Sequence, residues 1–127
     1  MRTIFVATFI LICTTWSAAQ AATKWATPFV FIGANDAIRC IVTNQGKKPL
    51  TVQVQAINVI GADETLGGSG STCTGPLNPG WSCHNDAPVG ASGFCFAATD
   101  SAKVRVILEV DDVITLSPRV VVPATKQ

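Results

Sequence analysis

The chain has no tyrosine, a single histidine (His84) and a single methionine (Met1), and only 13% of its residues are charged. One histidine and no internal methionine cannot supply the two histidines, cysteine and axial methionine of a blue-copper site. A serine triad would have to use His84, and no Gly-x-Ser-x-Gly elbow is present. We therefore predict that the protein is not an enzyme and carries no cofactor.

An excess of charge of either sign is also lacking, because nine basic residues face eight acidic ones. Removal of an N-terminal export segment that contains Arg2 would leave a formally neutral chain. Nucleic-acid binding needs a basic face, and electrostatic attachment to a membrane needs cationic side chains. Beyond the first apolar run, no second long apolar run occurs. We expect no nucleic-acid partner and no membrane insertion.

The first 21 residues have the features of a secretory signal. Arg2 is followed by an apolar run over residues 4–12, and Ala19 and Ala21 place small residues before the expected cleavage point. The run is too short for a membrane span. We predict a signal peptide over residues 1–21, a single domain over residues 22–127, and a periplasmic or extracellular location.

Four cysteines remain after the predicted cleavage, namely Cys40, Cys73, Cys83 and Cys95. An even number in an exported chain indicates disulfides, with three ways to pair them. We favour Cys73–Cys83, which closes a turn-rich loop, and Cys40–Cys95, which ties two strands across the core. Such bridges stabilise by roughly 3 to 4 kcal/mol each.

Alternating β-branched runs dominate residues 22–127, and helix signals are nearly absent. Three clear alternations cover residues 38–43, 50–56 and 104–110, and shorter candidates cover residues 29–32, 94–97, 113–116 and 120–122. A period of two is what half-buried antiparallel strands require. The turn at residues 44–49 predicts a hairpin. About seven short strands favour an all-β, antiparallel two-sheet sandwich, with an open barrel as the alternative.

Three short motifs resemble a known type of protein. They are the stretch 40–46 before an alternating strand, the turn Leu77-Asn78-Pro79-Gly80, and the late Val104-Arg105-Val106. Together they resemble small secreted bacterial immunoglobulin-like β-sandwich proteins of unknown function. The resemblance implies an immunoglobulin-like sandwich and brings no activity with it.

The loop from Cys73 to Cys83 is the candidate recognition element. A disulfide at its base would preorganise it, and Trp is enriched at binding hot spots. We predict a recognition site made of Leu77, Asn78, Trp81 and His84. The alternative for Trp81 is that it folds back and caps the core.

The sequence supports a metal site in the same region less well than a recognition loop. Zinc could be bound by His84 with Cys73, Cys83 and Cys95, but export favours disulfides instead. His84 is then an exposed loop residue beside a disulfide. Adjacent carboxylates occur at residues 63–64 and 111–112. On a strand they point to opposite faces, which does not suit acid–base catalysis. A calcium site in a loop would need more oxygen ligands than the neighbouring sequence supplies.

These observations favour an exported, non-catalytic domain that binds a partner or builds structure in the cell envelope or extracellular space. An envelope protein or a glycan is the expected partner. A secreted hydrolase inhibitor acting through the Cys73–Cys83 loop is the main alternative. Two further alternatives are a metal or redox protein that uses His84, and a structural subunit that pairs through residues 120–122.

Overall fold

A computed structural model describes residues 22–63 and 72–127 of the chain. Within these residues there are eight β-strands and no helix, so no helix there could cross a membrane. The strands are β1 (Thr23–Ala26), β2 (Asp36–Asn44), β3 (Val52–Asn58), β4 (Ser82–Asp86), β5 (Gly93–Thr99), β6 (Val104–Asp112), β7 (Ser117–Pro123) and β8 (Thr125–Lys126). The predicted signal peptide lies outside the described residues.

The strands form two antiparallel sheets of four. The first sheet has the order β3-β5-β1-β8, and the second has the order β4-β2-β6-β7. The longest pairing joins β2 to β6 over nine residues of each strand, from Asp36 opposite Asp112 to Asn44 opposite Val104. The prediction of an all-β, antiparallel two-sheet protein is confirmed, although with eight strands rather than about seven. Three of the eight, β1, β4 and β8, were not among the predicted strands. β8 has only two residues, too few to show an alternation.

The core lies between the two sheets. β2 and β6 each bury every second residue, and β5 does the same in the facing sheet. Alternate burial follows from the pleat, which turns successive side chains to opposite faces. The most deeply buried large side chains are aliphatic, Ile38, Val42 and Leu108.

Both predicted disulfide pairings are confirmed. Cys40 on β2 and Cys95 on β5 join the two sheets, with their Cα atoms 5.5 Å apart and both residues fully buried. Cys73 and Cys83 close the shorter loop, with 5.0 Å between Cα atoms. The first bridge therefore belongs to the core, and the second holds a surface loop against β4.

The predicted hairpin at residues 44–49 is wrong. β2 and β3 lie in different sheets, since β2 pairs with β4 and β6 while β3 pairs with β5. The turn therefore carries the chain across the sandwich rather than back along a neighbour. Among the eight strands of the described residues, only β6 and β7 are consecutive and pair with each other.

Two of the shorter predicted strands are also wrong. Residues 113–116 form a turn, because the Asp112 carboxylate accepts hydrogen bonds from the N–H groups of Ile114 and Thr115. Residues 29–32 make only one bridge, between Val30 and Gly93. Residues 113–116 are all exposed, whereas Val30 and Ile32 of the other segment pack against the core from a loop.

Strand β4 was not predicted, because its sequence Ser-Cys-His-Asn-Asp shows no apolar alternation. Its inward residues are Cys83 and Asn85, both buried. The Asn85 amide donates a hydrogen bond to the Val54 carbonyl of the other sheet. A polar side chain can therefore occupy this core position because its amide N–H is hydrogen-bonded there.

Candidate functional site

The two ends of the sandwich carry different loops. Strand β2 runs from Asp36 at one end to Asn44 at the other, and its neighbours follow antiparallel. One end collects loops 45–51, 72–81 and 100–103, and we call it the lysine end. The opposite end collects loops 27–35, 59–62, 87–92 and 113–116, and we call it the apolar end.

Asn44 organises the lysine end. Its side chain is fully buried and donates hydrogen bonds to the carbonyls of Lys48 (2.9 Å) and Leu77 (2.8 Å). Its side-chain oxygen accepts a hydrogen bond from the N–H of Gly46 at 2.8 Å. Its backbone N–H donates to the Trp81 carbonyl at 2.9 Å. One residue thus fixes the turn after β2 and the recognition loop predicted from the sequence.

That loop presents only part of the predicted site. Leu77 is 6% exposed and pairs with Leu50 through backbone hydrogen bonds, so its prediction as a recognition residue is wrong. Asn78 is exposed, and Trp81 is 65% exposed. The alternative in which Trp81 caps the core is therefore also wrong.

His84 lies apart from the tip of the loop, half-buried on the outer face of β4. Its ring Nδ1 is 3.2 Å from the Thr72 hydroxyl oxygen, which also accepts the His84 backbone N–H. The four cysteines of the described residues are in disulfides, so the zinc alternative lacks its thiolates. Across residues 22–63 and 72–127, no three His, Cys, Asp or Glu side chains are grouped to hold a metal ion.

A second feature of the lysine end is a cleft of about 440 Å³. Lys47, Lys48 and Lys103 line it together with Asp100. The Asp100 carboxylate accepts a hydrogen bond from the N–H of Thr51, which ties the two loops together. The charged side chains that line this cleft are thus three lysines and one aspartate, and Trp81 is the large apolar side chain exposed at this end.

The apolar end was not predicted from the sequence. Its four loops contain no charged residue. Seven of the ten large apolar side chains that lie exposed in the described residues belong to it, namely Phe31, Val59, Ile60, Val89, Val113, Ile114 and Leu116. Soluble monomers rarely expose apolar side chains in such groups unless the surface binds something. The signal that could have found it is the absence of charge from four separate loops.

Hydrogen bonds hold these loops together. The N–H of Gly90 donates to the Asp36 carbonyl at 2.8 Å, and the N–H of Val113 donates to the Asn35 carbonyl at 3.0 Å. Gly93 lies where a Cβ would be 2.3 Å from the Ile57 carbonyl oxygen, so only glycine permits this approach of β5 to β3. The apolar side chains therefore project from an ordered surface.

The β6–β7 turn carries backbone strain. Leu116 has a φ of 53° and is 84% exposed. A branched side chain in the left-handed region costs roughly 1–2 kcal/mol. The turn is nonetheless held by Asp112, whose backbone carbonyl accepts the Leu116 N–H at 2.8 Å. The side-chain carboxylate of Asp112 is paired with Arg119.

Electrostatic interactions at this end lower the pKa of Asp112. The N–H of Ile114, the Arg119 guanidinium and the N–H of Thr115 all favour its ionised form. Arg119 also lies 3.3 Å from the Asp36 carboxylate at the start of β2. Two carboxylates thus share one guanidinium behind the apolar loops.

Comparisons of the chain with known protein families, with curated proteins and with solved structures found no match. A function must therefore be argued from the chain's own geometry. Of the site residues predicted from the sequence, Leu77, Asn78 and Trp81 lie at the lysine end and His84 lies on β4. The largest group of exposed apolar side chains in the described residues lies at the opposite end.

Proposed function

We propose that the protein is an exported, non-catalytic domain that binds a partner protein through its apolar end. The observation that carries the proposal is the set of seven exposed apolar side chains on four uncharged loops. An interface core depleted of charge and rich in aromatic and aliphatic side chains has this composition. A glycan partner is less suited, because sugars require many hydrogen-bonding side chains.

Leu116 supports a binding role over a structural one. It occupies a strained backbone conformation and is 84% exposed, so in the free protein it contributes little packing. Strain of this kind is retained where the surroundings enforce it, and it clusters at functional sites. Asp112 and Arg119 provide that enforcement.

Export is the second part of the proposal. The two disulfides support it, because such bridges persist in oxidising compartments. The N-terminal sequence adds the features of a secretory signal. Both support export to a periplasmic or extracellular location.

An immunoglobulin-like relationship stays a prediction. The buried disulfide between the sheets and the sandwich architecture support it. The order of the strands argues against it, because immunoglobulin sheets place strands A, B, E and D together and C, F and G together. Here every connection except β6–β7 passes between the sheets.

Site-specific photo-cross-linking tests the proposed interface. Ile114, exposed at the apolar end, would be replaced by p-benzoylphenylalanine, and Lys47 at the lysine end would be replaced in a control. We expect one reproducible adduct from position 114 in the producing cells, identified by mass spectrometry, and none from position 47. Adducts from position 47 alone would contradict the proposal.

Leu116→Asn is the matched variant for this experiment. Asn tolerates the left-handed backbone, so the turn should form at least as readily while the apolar side chain is lost. We expect the adduct from position 114 to weaken in Leu116→Asn protein with an unchanged or higher thermal midpoint. An adduct of undiminished yield would remove Leu116 from the interface.

The second candidate function is inhibition of a hydrolase through the Cys73–Cys83 loop. The observation that favours it is Trp81, exposed on a loop that Asn44 and a disulfide hold in place. Such preorganisation lowers the entropy lost on binding. A panel of secreted proteases and glycosidases would test it, and no inhibition at micromolar protein would exclude it.

A further inference from the structure

A cleft of about 290 Å³ opens beside the β6–β7 turn at the apolar end. Val89, Val113 and Leu116 contribute apolar side chains to it, and Ile38 and Ala87 are the buried apolar residues in its lining. Leu116 borders the cleft from the strained turn. The cleft is thus a defined recess within the larger apolar surface.

Charged groups line the remaining side of the cleft. They are Arg39 with the carboxylates of Asp86, Asp111 and Asp112. Arg39 is 2.8 Å from Asp86 and 3.3 Å from Asp111. A single guanidinium therefore serves two carboxylates, whose side chains keep 22% and 19% exposure.

Charged side chains on the neighbouring strands do not neutralise this excess of negative charge. Glu109 lies opposite Arg39 in the β2–β6 pairing. Its pKa is raised, first by burial and then by the adjacent Asp111 carboxylate, which outweigh the attraction of Arg39. Arg119 is occupied by Asp36 and Asp112. The two arginines thus face five carboxyl groups.

We propose that this cleft receives an aliphatic side chain of a partner polypeptide together with a lysine or arginine next to it in the partner's sequence. The aliphatic group would contact Val89, Val113 and Leu116. The cation would interact with Asp86 and Asp111, which share Arg39. This proposal rests on the proposed function and names the chemistry of the partner.

Charge complementarity favours a cationic polypeptide over an anionic lipid surface. The carboxylates behind the loops would repel anionic headgroups, and the loops have no lysine or arginine to attract them. A polypeptide can supply one cation at a defined place beside an apolar side chain. A mixed apolar and charged contact of this kind also gives specificity.

Selection from a library of random phage-displayed heptapeptides tests the proposal. The immobilised protein would carry its disulfides intact, and Asp100→Asn protein would control for removal of a carboxylate at the lysine end. We expect enriched peptides with Leu, Ile or Val next to Lys or Arg, and weaker binding at high ionic strength. No enrichment, or enrichment of acidic peptides, would overturn the proposal.

Variants then separate the two contacts. Asp86→Asn combined with Asp111→Asn should weaken the selected peptide by about tenfold, the effect of one lost charge interaction of moderate strength. Val113→Ser should weaken it while the preference for a cation is kept. Unchanged affinity in both proteins, with thermal midpoints showing that they fold, would place the peptide elsewhere.

The experiment also separates this inference from the proposed function. Enriched peptides that are aliphatic and uncharged, and that lose binding in Leu116→Asn protein, would end the inference and leave the apolar end as an interface. Peptides that bind equally well to Leu116→Asn and Val113→Ser protein, with no cross-link from position 114, would contradict both.

Discussion

The two ends of strand β2 hold their adjoining turns with different polar side chains. Asn44 at the lysine end and Asp36 at the apolar end are both buried polar residues that fix the adjoining turn by accepting a backbone N–H. Asn44 is neutral and satisfied by backbone groups, whereas Asp36 is charged and paired with Arg119. At both ends the turn is held by polar contacts, in which the exposed apolar side chains take no part.

The disulfides give the largest expected contrast. Cys40–Cys95 spans 55 residues and lies in the core, whereas Cys73–Cys83 spans 10 at the lysine end. Replacing the first pair with Ala should cost about 4 kcal/mol of unfolding free energy, and the second pair about 3 kcal/mol or less. Urea denaturation measures both.

The second pair also tests the independence of the two ends. Cys73→Ala/Cys83→Ala protein should retain the cross-link from position 114, because that bridge is far from the apolar end. Loss of that cross-link in a folded protein would mean that the two ends are coupled. An equal or larger stability loss than for the core pair would contradict the entropic account.

Asn44→Ala is expected to have the next largest effect. It removes three side-chain hydrogen bonds from a fully buried position and leaves the Lys48 and Leu77 carbonyls without that partner. We expect a loss of about 3 kcal/mol in urea denaturation, at roughly 1 kcal/mol for each bond. The exposed Asn78 gives the matched control, and Asn78→Ala should lose less than about 0.5 kcal/mol.

If Asn44→Ala lost no more than that control, the lysine end would not depend on its buried amide. The comparison between the ends would then rest on the disulfide alone.

The long strands and the cysteine pairing could be predicted because their signals are local and apolar. The alternation in residues 38–43 and 104–110 places the apolar side chains on one face of each strand. This period of two is the same in every β-sandwich, whatever the order of its strands. The Cys73–Cys83 pair follows from a short turn-rich loop. Such features depend little on the order of the strands.

The apolar end could not be predicted because its residues come from four separate segments of the sequence. Residues 113–116 have the composition of a strand and become a turn only through the side chain of Asp112. Residues 29–32, 59–62 and 87–92 are far apart in the sequence, and the fold alone brings them to one end. Burial of Leu77 likewise depends on its long-range pairing with Leu50.

A smaller effect is expected from Asp112→Asn, and it depends on pH. The pKa of Asp112 is lowered in the folded state by the N–H of Ile114, by Arg119 and by the N–H of Thr115. Its ionised form therefore stabilises the protein above the unfolded pKa of about 3.9, and this contribution is lost as pH falls through the lower folded value.

Thermal midpoints across the acidic range measure this contribution. Asp112→Asn should be less stable than the wild type at neutral pH, and the difference should shrink at acidic pH, where both side chains are neutral. Asp100→Asn at the lysine end serves as the control. A difference that does not change with pH would mean that the charge of Asp112 has no part in holding the β6–β7 turn.

The two tryptophans of the described residues give the smallest expected effect and its own reference. Trp81 is 65% exposed, whereas Trp25 packs against the core. Trp81→Ala should therefore change the unfolding free energy by less than about 0.5 kcal/mol, and Trp25→Ala should cost about 2 kcal/mol or more. In the native protein, iodide should quench Trp81 fluorescence more than Trp25 fluorescence. The two signals are measured separately in Trp25→Phe and Trp81→Phe proteins.

A large loss of unfolding free energy in Trp81→Ala would place the ring against the core and leave the lysine end without its one large apolar contact. With stability unchanged, any loss of hydrolase inhibition in Trp81→Ala would assign a binding surface to this end as well, and the sandwich would then have two surfaces with different partners.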